Sequence, residues 1–373
     1  MGSTDTPEAS GSAAPAAAVG DGSAEAFAER LFSAAVAAFE LTAMDLGLRL
    51  GLYQRLRGVS MTAAGLAQLS GVDRRYAREW LEQQAVAGIV VCDDVAAMPE
   101  ERRYGLPETH ARCLLDVEDP LYMAPFVAFP RLLSDPLPEL VSAYRSGAGL
   151  PYAHYQLHEA QGAQNRPALA NDLGGWLAAV PGLPARLRRP GARIAEIGCG
   201  VGWACIYSAE AFSEASVDGY DLDGASVAEA RRNAADRGLG DRVRFAEIDV
   251  AQLGTIAEPL DLVFAVEMVH DLSRPVQALA AMRRLAGADG VVMVVDEHVR
   301  DRFEAPADEL ERVFYAFSVL HCLPVGLVEQ PSAATGTVLR PATLRGYAEE
   351  AGFTAVEELD IGSDFFRGYR LVQ

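Results

Sequence analysis

The sequence predicts an α/β protein in which an open, largely parallel sheet forms the C-terminal half and a smaller helical domain precedes it. From Gly191 onward, short β-rich runs alternate with helical segments, which is the pattern of a parallel sheet with crossover helices. Before residue 108 the pattern is helix, turn, helix and hairpin. A length of 373 residues, half of them hydrophobic, suits two domains better than one.

The N-terminal domain is expected over residues 23–107. Apolar residues recur at helical spacing from Ser23 to Gly51 and predict a helix with a wide apolar face. Thr62 can cap a helix that runs to Leu69, and Asp73 can cap a second that ends near Ala87. Two short strands are then predicted, at Ile89–Cys92 and Arg102–Leu106. Together these elements predict a winged helix.

Residues 108–190 contain helical stretches interrupted by prolines, and we interpret them as a helical linker and lid. The sheet domain is expected over residues 191–373. Its predicted strands are Arg193–Ile197, Ser216–Asp221, Val243–Ile248, Leu260–Val266 and Gly290–Asp296, with Ala355–Leu359 and Phe366–Leu371 added at an edge.

Composition narrows the possible partners. The 52 acidic and 32 basic side chains give a formal charge of -20, so the average surface should repel nucleic acid. The five cysteines form no CxxC pair, which favours a reducing cytoplasm and predicts no metal site.

Two further features concern localisation. Residues 1–22 lack the basic start and apolar stretch of a signal peptide, and we expect a disordered leader there. Apolar runs such as Gly290–Val295 stop short of the roughly 20 residues that span a bilayer. We therefore expect a soluble, cytoplasmic protein with no membrane partner.

The strongest local signal is a glycine turn at the end of the first predicted strand, with Gly198, Gly200 and Gly202 following Glu196. A dinucleotide-binding fingerprint requires a glycine at position 203, where backbone meets pyrophosphate, but this position is Trp203. The neutral turn therefore suits a ligand without phosphates.

Carboxylates end the next strands of the predicted sheet. Asp221, followed by Leu222, lies nineteen residues beyond Gly202, where a ribose diol would bind. Asp249, followed by Val250, ends the third strand. Solvated or helix-capping roles are the alternatives for each acid alone.

The acid and glycine spacing resembles motif I of class I methyltransferases, in which the turn passes under the methionine part of S-adenosylmethionine. The resemblance implies that cofactor, and it implies that Asp249 accepts a hydrogen bond from the adenine amino group. With Glu267 at the end of the fourth strand, nine residues are expected to contact the cofactor: Glu196, Gly198, Gly200, Gly202, Asp221, Leu222, Asp249, Val250 and Glu267.

His270 and Asp271 follow the fourth strand at the carboxyl edge of the sheet, where ligands of open α/β folds bind. The pair resembles a stretch of small-molecule O-methyltransferases whose histidine takes the proton from a phenol or hydroxyl; Leu272 stands where plant enzymes usually have tryptophan. Both residues are therefore candidate catalytic groups. The alternative is that His270 caps a helix or packs under the lid.

A roof over the substrate is expected from a helix over Asp308–Leu320 and the following residues to Pro324. His321, Tyr152 and Phe317 are the candidate substrate contacts, with structural roles as the alternative. Residues 296–298, Asp-Glu-His at the end of the fifth strand, are interpreted as solvated loop residues.

The resemblance extends over most of the chain. Residues 24–105 resemble the winged-helix dimerisation domain of small-molecule O-methyltransferases, and residues 191–373 resemble their catalytic domain. The whole chain is similar to an actinobacterial and mycobacterial group through the segments Asn165–Pro167, Glu196–Trp203, His270–Asp271, Asp296–Glu297, Ser318–Pro324, Thr335–Val338 and Phe366–Leu371. The resemblance implies a homodimer that methylates a small molecule, such as a natural product of secondary metabolism, at oxygen.

Two rival functions stay open. A winged helix joined to a cofactor-sensing domain can regulate transcription, and Arg74, Arg75 and Arg78 lie on the predicted recognition helix. Nearby acids and the overall charge disfavour this. Alternatively, the same fold can use S-adenosylmethionine in a cyclisation, an elimination or an intramolecular attack.

Overall fold

The computed structural model describes residues 23–252 and 259–373. The leader predicted over residues 1–22 lies outside the described residues. The described residues divide into two compact units, with the boundary between residues 39 and 40.

Fifteen α-helices and ten strands are found in the described residues. The helices are α1 Ala24–Arg49, α2 Leu52–Leu56, α3 Ala63–Ser70, α4 Arg74–Val86, α5 Glu108–Leu115, α6 Ala124–Ser134, α7 Leu137–Ser146, α8 His158–Ala178, α9 Leu183–Leu187, α10 Trp203–Ala211, α11 Gly224–Asp236, α12 Pro275–Ala286, α13 Glu309–Phe317, α14 Leu323–Gly326 and α15 Pro341–Glu350. The strands are β1 Ser60–Thr62, β2 Val91–Cys92, β3 Arg103–Gly105, β4 Arg193–Ile197, β5 Ser216–Asp221, β6 Val243–Glu247, β7 Leu262–Val266, β8 Val291–Glu297, β9 Ala355–Leu359 and β10 Phe366–Val372. A π-helical segment, Ser318–Cys322, joins α13 to α14.

Helix α1 confirms the predicted N-terminal helix and carries exposed apolar side chains over its first half, at Phe27, Leu31, Phe32, Val36 and Phe39. Among the described helices, it is the one long and apolar enough to cross a membrane by length and composition. The expectation that every apolar stretch is too short to span is therefore wrong for this helix. Length and apolar composition are also what a helix needs to pack against a partner protein.

The last turns of α1 pack in the winged-helix domain. Trp80 donates a hydrogen bond from its ring nitrogen to the carbonyl of Ala43 at 2.9 Å. A Cβ at Gly47 would collide with the Trp80 ring, so the two helices approach closely because this residue is glycine. Asp45 is buried and pairs with Arg131 of α6 at 2.7 Å.

The predicted caps of the winged helix are confirmed. The Thr62 hydroxyl accepts a hydrogen bond from the Gly65 amide at 3.3 Å, and the Asp73 carboxylate accepts from the amides at the start of α4. The hairpin differs from the prediction, because a third strand, β1, pairs with β3. Strand β2 begins at Val91, since the amides of residues 89 and 90 bond to the Gln84 carbonyl instead of a strand partner.

Five helices, α5 to α9, occupy the predicted linker and lid region. Pro125 and Pro138 lie in the first turns of α6 and α7, where the missing amide costs nothing. Pro130 lies inside α6, so the prediction that prolines interrupt the helices is wrong at this position. Pro167 also lies inside a helix, α8. Helix α8 consequently runs unbroken across the glycine turn.

The large sheet has the strand order β6-β5-β4-β7-β8-β10-β9. The first five strands are parallel, and β10 and β9 add antiparallel strands at one edge, as predicted. Because chain connections run outward in both directions from β4 and β7, the order reverses between these two strands. Such a switch point opens a crevice at the carboxyl ends of the strands.

Candidate functional site

A cavity of about 390 Å³ lies at this switch point. The ends of β4 to β7 form its floor, and α8 with the preceding residues forms one wall. Nine lining residues are those predicted to contact the cofactor: Glu196, Gly198, Gly200, Gly202, Asp221, Leu222, Asp249, Val250 and Glu267. The structure therefore brings the whole predicted set to one cavity.

The glycine turn depends on glycine at each of its three positions. Gly198, Gly200 and Gly202 have φ angles of 70°, 49° and 85°, a region that other residues rarely adopt. A Cβ at Gly198 would also collide with Met268, and one at Gly202 would lie 2.6 Å from the Phe245 ring. The turn thus presents bare backbone to the cavity.

Glu196 lies beneath this turn. Its carboxylate accepts a hydrogen bond from the Cys205 amide at 3.1 Å and one from the Cys205 thiol at 3.0 Å. Burial raises the pKa of Glu196 to about 8. A positively charged ligand next to this group would favour its ionised form.

Asp221 holds the turn from the neighbouring strand. Its carboxylate accepts hydrogen bonds from the amides of Gly200 at 2.8 Å and Asp223 at 2.9 Å. Burial raises its pKa, although these hydrogen bonds oppose the shift. Asp221 therefore shapes the cavity in addition to lining it, and its contact with a ribose stays a prediction.

Glu267 joins the sheet to α8. It is 8% exposed and has a φ of 48°, an uncommon conformation for a residue with a side chain. The Asn165 side-chain amide donates a hydrogen bond to its carboxylate, and burial raises its pKa to about 7. The strained backbone aims this carboxylate at the cavity beside the glycine turn.

His270 lies behind the cavity. Its Nδ1 is 2.7 Å from Asp296 Oδ1 and 3.1 Å from Glu297 Oε2, and its Nε2 is 3.3 Å from Asp271 Oδ1. The imidazole is only 1% exposed, whereas Asp271 lines the cavity. Burial alone would lower the pKa of His270, but the three carboxylates outweigh burial and raise it well above its ordinary value.

The interpretation of Asp296 and Glu297 as solvated loop residues is wrong. Both are the last residues of β8 and both are buried. The strand extends this far because β10 continues the antiparallel register to the pair Phe366 and Glu297. The two carboxylates are thereby delivered to the ring of His270.

The three candidate substrate residues occupy different positions relative to the cavity, and only Tyr152 lines it. Tyr152 lines the cavity, and its hydroxyl donates to the Gln161 side chain at 3.0 Å. His321 is buried behind it, in edge-on contact with the Tyr152 ring. Phe317 packs against Phe126 and Phe129, apart from the residues that line the cavity.

The roof differs from the predicted single helix. Asp308 caps α13 as expected, but the helix ends at Phe317 and continues as the π-helical segment Ser318–Cys322. One extra residue per turn rotates the following side chains relative to an α-helix, and such segments occur often at functional sites. His321 and Cys322 are buried by this change of register.

Several lining residues were missed from the sequence. Gln161 and Asn165 come from α8, Met268 from the loop after β7, and Arg274 and Glu329 from the region around α12 and α14. Asn165 could have been selected from the sequence, because the segment Asn165–Pro167 is one of those that resemble the actinobacterial and mycobacterial group. The others lack a local motif.

The cavity is strongly acidic. Seven carboxylates line it: Glu196, Asp221, Asp223, Asp249, Glu267, Asp271 and Glu329. Among the lining residues that the structure describes, Arg274 is the single arginine or lysine, and it is paired with Glu329. The cavity therefore favours ligands that carry positive charge.

The arginines of the predicted recognition helix are largely neutralised. Arg75 pairs with Glu79, and Arg78 pairs with Glu100 at 3.0 Å and with Glu82 at 3.6 Å. This arrangement adds to the overall acidity in disfavouring DNA as a partner.

The structure combines an open α/β sheet, with a cavity at its switch point, and a winged helix that precedes it in the chain. Residues 194–290 match the family model of a methyltransferase domain, and residues 37–115 match an Rv2258c-like winged HTH domain. The chain therefore contains both domains. The first match supports the predicted cofactor, S-adenosylmethionine.

Comparison with individual proteins gives the same fold. A mitomycin 7-O-methyltransferase is 20% identical, with a TM-score of 0.67 and coverage of 94% of this chain and 99% of its own. Human N-acetylserotonin methyltransferase, solved with SAM, is 14% identical, with a TM-score of 0.68 and coverage of 93% and 97%.

One curated relative with a named activity is a phosphatidylethanolamine N-methyltransferase of Cereibacter sphaeroides, 26% identical over 134 residues, which are 36% of this chain and 63% of that protein. The chain spans less than two thirds of the length of the curated relatives it matches.

Proposed function

We propose that this protein transfers a methyl group from S-adenosylmethionine to an oxygen atom of a small, uncharged acceptor, such as a natural product of secondary metabolism. The observation that carries the proposal is the convergence of a bare glycine turn and three strand-end carboxylates on one acidic cavity. When bound, the cofactor supplies a reactive methyl group on a positively charged sulfur.

The chain's residues suit the three parts of that cofactor. The glycine turn, Glu196 and Glu267 would hold the amino-acid tail and the positive charge, because their backbone and carboxylates meet at one end of the cavity. Asp221 would accept from the ribose hydroxyls, and Asp249 from the adenine amino group. Asp271 and Tyr152 line the same cavity and would be left to contact the acceptor.

Asp271 and His270 would manage the proton of the acceptor. The carboxylate of Asp271 lies on the cavity wall, so it is the group that an acceptor hydroxyl meets first. His270 lies directly behind it, at 3.3 Å, and is held in place by Asp296. His270, predicted as the general base, would act on the acceptor through its electrostatic contact with Asp271.

The remaining wall suits a small apolar acceptor. Tyr152, Leu272, Val325 and Val328 contribute apolar surface beyond the glycine turn. The surrounding carboxylates would repel an acceptor that carries phosphate or carboxylate groups. Positioning the acceptor oxygen in line with the methyl group is the main contribution of this wall.

We also propose that the protein works as a cytoplasmic homodimer through α1. The support is the row of exposed apolar side chains on that helix, which a second copy can cover. Sedimentation analysis of the full chain should give a dimer, and Phe32→Glu with Phe39→Glu should convert it to a monomer.

The reaction is tested by incubating the full chain with S-adenosylmethionine and a set of hydroxylated aromatic compounds. Methyl transfer requires one S-adenosylhomocysteine for each molecule of methylated product. Product formed without S-adenosylhomocysteine would point to a non-methylating use of the cofactor and would contradict the proposal.

A further inference from the structure

A cluster of buried nitrogen, oxygen and sulfur ligands lies behind the cofactor cavity. A ring nitrogen of His270, a carboxylate oxygen of Asp271 and the sulfur of Cys322 all lie within 4.8 Å of one another. His270 and Cys322 are buried, and Asp271 reaches the cavity wall. The cluster joins the loop after β7 to the π-helical segment of the roof.

The spacing between His270 and Asp271 suits two ligands of a tetrahedral ion. Bonds of about 2.0–2.3 Å to nitrogen, oxygen and sulfur place adjacent ligands of a tetrahedral zinc ion roughly 3.3–3.7 Å apart. His270 Nε2 and Asp271 Oδ1 are 3.3 Å apart. This Asp271 oxygen is buried and has no hydrogen-bond partner among the described residues, so the contact with Nε2 is not already a hydrogen bond.

The second ring nitrogen of His270 is held by a carboxylate, as in many zinc sites. Its Nδ1 is 2.7 Å from Asp296 Oδ1, at hydrogen-bond distance. A histidine that binds a metal through one ring nitrogen usually donates from the other to a carboxylate or carbonyl, which fixes the ring and makes it a better ligand. Asp296 supplies this contact here, so Nε2 is the nitrogen left for a metal.

A second buried imidazole adjoins the cluster. His321 precedes Cys322, and its Nδ1 is 3.4 Å from the Cys322 sulfur. The His321 Nε2 is buried and lacks a hydrogen-bond partner among the described residues. Buried polar atoms without partners are rare in proteins, and a bound ion is one of the ways in which they are satisfied.

We propose that His270, Asp271 and Cys322 bind one zinc ion, which Asp271 connects to the cavity. Imidazole, carboxylate and thiolate are the three ligand types that zinc combines, whereas magnesium and calcium select oxygen. Three protein ligands with a free fourth position are the arrangement of catalytic zinc sites.

The role of the ion rests on the proposed function. An acceptor hydroxyl that takes the fourth position loses its O–H bond, forms an O–Zn bond and releases the proton to solvent. Zinc makes this loss easier because it stabilises the anion. His270 and Asp271 would then promote loss of the acceptor's proton through the ion that they hold, instead of accepting the proton directly, and the acceptor would present an anionic oxygen to the methyl group.

Zinc binding is measured on the full-length protein without any acceptor. After chelation and dialysis, calorimetry with zinc chloride should give one ion per chain. Cobalt(II) at the same site should show the near-ultraviolet absorption of a thiolate-bound metal. Cys322→Ser and Asp271→Asn should each weaken zinc binding at least about tenfold, and Asp296→Asn should weaken it about 10–100-fold.

Cys113→Ser is the matched control, because Cys113 is half-buried and belongs to α5. It should leave the stoichiometry and the cobalt absorption unchanged. Absence of stoichiometric zinc binding, or a cobalt spectrum that survives in Cys322→Ser, would overturn the proposal. Binding of S-adenosylmethionine by each variant reports folding, and its absence in the wild type would contradict the proposed function while leaving the zinc measurement valid.

Discussion

The two sides of the cavity are built in different ways. The side with the glycine turn is formed by the ends of β4, β5 and β6, and each of its lining residues belongs to a short segment at one strand end. The opposite side combines α8, the loop after β7 and the residues around α14, which are far apart in the sequence. Buried residues at the end of β8 contact this loop through His270. The comparison suggests that the first side holds a common ligand and that the second determines the reaction.

The largest effect on turnover should come from substitutions on the side opposite the glycine turn. Asp271→Asn and His270→Gln should each lower turnover about 10²–10⁴-fold, the usual contribution of a proton acceptor, while S-adenosylmethionine binding stays within about threefold. Single-turnover kinetics and calorimetry measure the two quantities. His298→Gln is the control, because His298 comes directly after Glu297, the last residue of β8, and does not line the cavity.

If His270→Gln kept wild-type turnover, the histidine would have only a structural role. If it lost cofactor binding instead, the division into two sides would be wrong.

The next effect tests the cofactor side. Gly198→Ala should weaken S-adenosylmethionine binding at least about tenfold, because the positive φ costs about 1–3 kcal/mol and the new methyl group displaces Met268. Gly238→Ala is the matched control, since Gly238 has a φ of 68° and open space around it. Equal loss of binding in both variants would show a general loss of stability.

A smaller effect should link the two sides. Asn165→Ala removes the hydrogen bond to Glu267 and should raise the dissociation constant for S-adenosylmethionine about tenfold, as expected for a hydrogen bond to a charged group. Isothermal titration measures this change. An unchanged dissociation constant would mean that α8 closes the cavity without ordering Glu267.

The smallest effect concerns pH. Burial raises the pKa of Glu196 to about 8 in the ligand-free protein, and a bound cation should lower this pKa. The affinity for S-adenosylmethionine should therefore rise about fivefold as the pH increases toward 8. Since the folded pKa exceeds the usual 4.5, the ligand-free protein should lose stability over the same rise. Glu196→Gln should remove the pH dependence of binding, and a slope that persists would assign it elsewhere.

The sequence was most informative where one element carries its own signal. The strands β4, β5 and β9 have their predicted bounds, since each is a short β-rich run between turn residues. Glu196, Asp221 and Asp249 were selected because each lies at or near the end of a predicted strand, and all three line the cavity. The caps at Thr62 and Asp73 are local in the same way.

The side opposite the glycine turn, with the residues buried behind it, was less predictable because its contacts join distant segments. The burial of Asp296 depends on the register between β8 and β10, which local patterns do not specify. Likewise, the cluster with Cys322 depends on a π-helical segment, whose extra residue has no clear sequence signal. The expectation of no metal was drawn from the spacing of the cysteines alone, which carries no information on how close Cys322 lies to His270 in the folded chain; it stays a prediction.

The most direct measurement is calorimetric titration of the full-length protein with S-adenosylmethionine, compared with Gly198→Ala and Gly238→Ala. We expect one molecule bound per chain by the wild type and by Gly238→Ala, with much weaker binding by Gly198→Ala. No heat of binding to the folded wild type, or equal binding by all three proteins, would contradict the proposal that the glycine turn and its neighbouring carboxylates hold this cofactor.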